Sequence, residues 1–92
     1  MFVVVSYDVP DDRRRGRTAR ALQNFGGERV QFSVFECYLS VRNRGQLQER
    51  LEEIVQPDED SVRIYRLCEK CCAGVQFLGR AQATEEPGLR II

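Results

Sequence analysis

The chain has 92 residues, enough for one domain with one modest core, and no apolar run approaches the ~20 residues that a bilayer span requires. Its 14 basic and 14 acidic residues cancel, which excludes a polyelectrolyte that grips nucleic acid over its whole surface. Histidine is absent, so hydrolases built on Ser-His-Asp, Cys-His or paired histidines are excluded and any hydrolysis is expected to need a metal ion.

The apolar run Phe2-Val3-Val4-Val5-Ser6-Tyr7-Asp8 predicts a central strand from Phe2 to about Val9, ended by Pro10. It follows Met1 without a basic leader, and the cytoplasm is the expected compartment. Asp8 at the strand's tip is a carboxylate held at the sheet's rim, suited either to binding a metal ion or to capping the turn that follows. Asp11 or Asp12 is the expected N-cap of a first helix running to about Phe25, with Thr18, Ala21, Leu22 and Phe25 on one face and Arg13, Arg17, Arg20 and Asn24 on the other. Three arginines near a helix start oppose the macrodipole, which a bound phosphate would offset; solvated helix residues are the alternative. Gly26-Gly27 stops this helix.

From Arg29 to Val41 the alternation changes phase: Val30, Phe32 and Val34 share one parity, Phe35, Cys37, Leu39 and Val41 the other. One straight strand cannot bury both sets, so a turn or bulge near Ser33-Val34 is expected, giving two short antiparallel strands or one bent pair. Asn43 and Gln46 resemble a capping box for a second helix striped by Leu47, Leu51, Ile54 and Val55 and closed by Pro57. Asp58-Glu59-Asp60 reads as a solvated acidic loop, Ser61 to Cys68 as a further strand, and Val75-Gln76-Phe77-Leu78 as a short final strand. The remainder, with the apolar end Leu89-Arg90-Ile91-Ile92, is a tail able to add a strand to a partner's sheet edge. Cys68-Glu69-Lys70-Cys71-Cys72, with Cys37 elsewhere, reads as free thiols in a loop, with zinc shared across a dimer or a Cys68–Cys71 disulfide as the alternatives.

The order predicts an α+β, ferredoxin-like βαββαβ domain over residues 1–79, with an additional short C-terminal strand and a tail over residues 80–92. Both helices cover one sheet face, and the bare face is expected to meet a second copy in a twofold homodimer. Charge is uneven along the chain, with nine arginines against six acidic residues in residues 1–50 and five basic against eight acidic residues thereafter. A local cationic patch is therefore expected, and arginine suits phosphate contacts.

Tyr7-Asp8 closing the first strand, Arg15 and Arg17 opening helix one, Arg29-Val30-Gln31-Phe32-Ser33-Val34-Phe35-Glu36, and the strand Asp60-Ser61-Val62-Arg63-Ile64-Tyr65 together resemble the CRISPR-associated protein 2 family. The resemblance implies a homodimer acting in spacer acquisition with the CRISPR integrase subunit, holding duplex DNA, and in many members a magnesium-dependent endonuclease on RNA or double-stranded DNA. By position, Asp8 would bind Mg2+ and act in catalysis with Tyr7, and Arg15, Arg17, Arg29, Ser33 and Phe35, joined by Arg13, would contact nucleic acid, single-stranded RNA included. An aromatic in a strand is more often core, so Tyr7 and Phe35 carry that reading as well, and core or dimer packing is the one favoured for Phe35. One carboxylate is a poor magnesium site, so a twofold axis that pairs Asp8 with its copy is expected. The alternatives are a DNA-binding scaffold without chemistry, and a small-molecule or assembly domain, since this fold hosts many functions.

Overall fold

The computed structural model describes residues 1–85. In chain order the elements are β1 (Phe2–Asp8), α1 (Asp12–Asn24), β2 (Glu28–Gln31), β3 (Val34–Tyr38), α2 (Val41–Ile54), β4 (Ser61–Leu67) and a short α3 (Glu69–Ala73). The strands form one sheet of order β2-β3-β1-β4 in which every neighbouring pair is antiparallel, the ferredoxin-like arrangement. No helix among the described residues is long and apolar enough to cross a membrane.

β1 pairs on both sides, and its alternation decides which face is which. Val3, Val5 and Tyr7 are buried, in one cluster with Phe35 and Cys37 of β3, Ala19, Ala21 and Leu22 of α1, and Leu47, Leu51 and Ile54 of α2. Each fully buried Val, Leu or Phe contributes roughly 1.5–3 kcal/mol relative to exposure, so this two-helix face is where the fold's stability is concentrated. The other parity, Phe2, Val4, Ser6 and Asp8, registers with Val34, Glu36 and Tyr38 on β3 and with Ser61, Arg63, Tyr65 and Leu67 on β4, forming the face opposite α1 and α2, which the short α3 approaches only at the Phe2 and Tyr38 end. The outer edge of β4 has no strand partner among the described residues.

Local chemistry sets the boundaries. Asp11 is the N-cap of α1, its side chain accepting from the Arg14 backbone N–H at 2.9 Å. The helix ends before Gly26, whose φ of +82° lies in the left-handed region. Gly27 is needed for a different reason: a β-carbon there would stand 2.7 Å from the Leu22 carbonyl oxygen and 2.8 Å from the Cys37 sulfur. The phase change after Arg29 resolves as both expected devices, a turn at Phe32-Ser33 and a register shift between Arg29 and Gln31.

Four expectations are corrected. The cap of α2 is Ser40 rather than Asn43: the Ser40 hydroxyl accepts from the Asn43 N–H at 3.0 Å, and the helix begins at Val41. The Cys68–Ala73 stretch is a helical turn rather than a loop, capped by Cys68. Val75-Gln76-Phe77-Leu78 forms no strand; it follows α3 without regular secondary structure, and residues 75–84 turn at Gly79-Arg80 and lie against the open face. There Val75, Phe77, Ala83 and Thr84 lie over Phe2, Glu36 and Tyr38, and the Thr84 hydroxyl donates to the Glu36 carboxylate. Side-chain packing across the sheet thus replaces the backbone ladder expected for that segment. Asp60 is not solvated, as described below. The apolar end Leu89-Arg90-Ile91-Ile92 lies outside the described residues.

Candidate functional site

The C-terminal end of β1 gathers one rim of the molecule. Asp8 is the last residue of β1, exposed, and registered against Ser61 at the start of β4. It lines an open depression of about 200 Å³ with Ser6, Tyr7, Ser61 and Arg63. Strand alternation explains the grouping: Ser6, Asp8, Ser61 and Arg63 all have the parity of the uncovered face. The β2–β3 turn arrives at the same rim, because the Tyr7 N–H donates to the Ser33 carbonyl at 3.0 Å and the Tyr7 hydroxyl donates to the Phe32 carbonyl at 3.3 Å.

The arginines of α1 divide by task. Arg14, half-buried, donates to both carboxylate oxygens of Asp60, at 2.8 and 3.1 Å, and the Asp60 side chain is 0% exposed. Asp60 also accepts from the Gln56 N–H at 2.8 Å, so this bidentate pair joins the start of α1 to the loop before β4. The Arg14 hydrogen bond, reinforced by the Gln56 N–H and opposed by burial, holds the Asp60 carboxyl below its ordinary range, and the same bond holds the Arg14 guanidinium above its own. Arg15 turns back onto the strand–helix loop, donating to the Val9 and Pro10 carbonyls at 3.1 and 3.2 Å and pairing with Asp12. Arg13 is exposed on the first turn, beside this loop. Arg17 lies elsewhere, around a recess between the helices with Arg20, Asn24 and Arg50.

Each expected site residue can now be placed. Asp8 and Ser33 come together at the rim, with Arg13 and Arg15 on the loop and first turn behind them. Arg29 stands apart on the exposed β2 strand, its guanidinium 5.2 Å from the Phe35 ring centroid. Burial bears on two of the expected residues, and for Phe35 it agrees with the packing alternative. Phe35 is 0% exposed and stacks beside Tyr7 with centroids 6.3 Å apart, so it has no surface to offer a nucleic acid. Tyr7 is 4% exposed with its hydroxyl bonded to Phe32, which makes it a brace for the turn rather than a group presented to a substrate. Arg63 was missed; its parity with Asp8 becomes visible only once the β1–β4 register is known.

Chemically, the depression offers a carboxylate, two hydroxyls and a guanidinium, a set that matches a phosphate and a hard cation. Among the described residues no three His, Cys, Asp or Glu side chains converge, and Asp8 is the one carboxylate that lines the depression. The same finding removes a four-thiolate zinc site within one chain. Cys37 is moreover buried beneath the helices, and that burial, helped by the neighbouring Glu36 charge, pushes its thiol up to about 11.

Comparison with known proteins agrees with this geometry. Residues 1–75 match the family model described as CRISPR associated protein Cas2. A CRISPR-associated endoribonuclease Cas2 of Synechocystis sp. is 45% identical over 93 residues, covering 100% of both chains. The crystal structure of a hypothetical protein from Thermus thermophilus superposes with a TM-score of 0.77 at 40% identity, covering 91% of this chain and 96% of that one. A chain of a partial Cas6-RT-Cas1–Cas2 complex superposes at 0.70 with 27% identity, covering 84% of this chain and 89% of that one. With the match spanning every strand of the sheet and the rim that ends in Asp8, the chain belongs to the CRISPR-associated Cas2 family.

Proposed function

We propose that two copies of this chain associate through the uncovered sheet face and act in CRISPR adaptation, binding duplex nucleic acid and joining the CRISPR integrase, with Mg2+-dependent hydrolysis of phosphodiesters in RNA or DNA as their chemistry. The observation that carries this reading is the exposed Asp8 on the face opposite α1 and α2, flanked by Ser61 and Arg63. A twofold axis near the end of β1 would bring two Asp8 carboxylates to one ion. Such an ion would neutralise charge on a scissile phosphate and activate a water. Arg63 and Arg13 would hold flanking phosphates, while Ser6 and Ser61 would orient a phosphate oxygen through their hydroxyls. The name of the Synechocystis relative supports endoribonuclease activity, and the complex containing Cas1 and Cas2 supports an integrase partner.

Cleavage of labelled RNA and duplex DNA by the purified protein, with and without Mg2+, tests the chemistry. Asp8→Asn is expected to abolish metal-dependent cleavage while leaving the fold and DNA affinity intact; undiminished cleavage would defeat the assignment. A second reading, a DNA-binding scaffold without chemistry, is favoured by the single carboxylate that each chain brings to the depression. It predicts that Asp8→Asn leaves spacer integration unchanged. Both readings require that charge reversal at Arg13 and Arg63 weaken DNA binding and flatten its salt dependence, by about 0.9 in log–log slope for each phosphate no longer neutralised. An unaltered slope rules out both.

A further inference from the structure

The cysteines of α3 lie outside everything assigned to the rim. Cys68 is the N-cap of α3 and Cys71 follows three residues later, and both side chains are exposed. Cys68, with extended backbone at the N-cap, and Cys71, the third residue of α3, lie one short exposed turn apart, and a disulfide between them requires their β-carbons to approach to roughly 3.5–4.5 Å. The Cys71 side chain and the backbone N–H groups of Cys71 and Lys70 neighbour the Cys68 sulfur and bias its ionisation, without a formed side-chain cap hydrogen bond. The remaining thiols are turned elsewhere. Cys37 is buried in the core, and Cys72 is half-buried with its sulfur directed at the Leu67 carbonyl, 3.7 Å away.

We propose that Cys68 and Cys71 form a reversible dithiol–disulfide couple whose oxidants are low-molecular-weight disulfides such as oxidised glutathione. The neighbouring Cys71 backbone N–H and thiol lower the Cys68 pKa, whereas the proximity of Cys68 raises that of Cys71, which makes Cys68 the attacking thiolate and Cys71 the resolving thiol. The Cys68 thiolate attacks one sulfur of the glutathione disulfide; a mixed disulfide forms, the glutathione S–S bond breaks, and one glutathione thiolate leaves. Cys71 then gives its proton to solvent and attacks the Cys68 sulfur, forming the Cys68–Cys71 bond and expelling the second glutathione thiolate. Two electrons pass from the protein to the oxidant, and both released thiolates take up protons to the extent that the pH dictates.

The couple is tested on the full chain equilibrated across ratios of oxidised to reduced glutathione, alkylated, and digested with trypsin. Cleavage after Arg66, Lys70 and Arg80 places Cys68 in peptide 67–70 and Cys71 with Cys72 in peptide 71–80, so the disulfide appears as a linked pair. The expected result is linkage under oxidising ratios, reversal under reducing ones, persistence in Cys72→Ser, and loss in Cys68→Ser and Cys71→Ser. Serine is a favoured N-cap residue and the Cys68 side chain makes no cap hydrogen bond to lose, so loss of linkage there reports chemistry rather than unfolding. The proposal is overturned if both peptides stay separate and alkylated at every ratio. It is equally overturned if the linkage survives in Cys71→Ser but not in Cys72→Ser, or joins two chains only.

Discussion

The two faces of the sheet are made by the same strands and differ in almost everything else. Beneath the helices, Val3, Val5, Phe35 and Cys37 are each 0% exposed, and the buried Thr18 hydroxyl donates to the Arg14 carbonyl. On the opposite face, Phe2, Val4 and Tyr65 alternate in space with Ser6, Asp8, Glu36 and Arg63, and residues 75–84 cover only the end beside Phe2 and Tyr38. A period of two lets one parity of each strand hold the domain together while the other keeps its chemistry available. Folding and function therefore occupy neighbouring residues without competing for the same side chains.

Substitutions that separate the faces sharpen the contrast, and their effects on stability should fall in a definite order. Phe35→Ala empties the centre of the covered face and is expected to cost roughly 3–5 kcal/mol in denaturant unfolding; a small loss would show that this ring is not core. Gly27→Ala forces a β-carbon against the Leu22 carbonyl and the Cys37 sulfur and is expected to cost about 1–3 kcal/mol. Asp60→Asn should lower Tm by less than Gly27→Ala, because it weakens one pair at the rim rather than the core. Its pH dependence has a fixed sign. The folded-state pKa of Asp60 lies below the unfolded one, so the pair's stabilisation is complete above the unfolded value of about 3.9 and disappears as pH falls through the folded value. The Tm gap between wild type and Asp60→Asn should therefore close on acidification, and a gap that persists at low pH contradicts the pairing. Tyr7→Phe removes one hydrogen bond from the turn and should cost about 0.5–1.5 kcal/mol while sparing cleavage; lost cleavage would return Tyr7 to the chemistry. Asp8→Asn, on the open face, should leave stability nearly unchanged.

Features written within a few residues were the readable ones. The apolar run of β1, the Asp11 cap with Gly26 fifteen residues later, and the parity switch between Val34 and Phe35 each announce themselves locally, and together they specify the ferredoxin-like order. The helix cap at Ser40 was missed because Ser40 and Asn43 both suit a first turn and only backbone geometry decides between them. Asp60 looked solvated because its partner Arg14 is 46 positions away and nothing in the intervening chain marks the pair. At the candidate site, Asp8 was legible from its position at a strand tip, whereas Arg63 required register. Phe35 and Tyr7 were open to two readings, since an aromatic in a strand can pack or present itself, and the direction of the pleat settles both as packed.

The unpaired border of β4 has a bearing on handling and storage. A seven-residue strand that has no strand partner on one side among the described residues invites other chains to stack against it, yet Arg63 and Arg66 place two like charges on the strand, repelling an approaching copy of the same border. That guard is electrostatic and is screened as salt rises. Concentrated solutions of the protein should scatter more light at high ionic strength, and lysine in place of Val62 should suppress the aggregation.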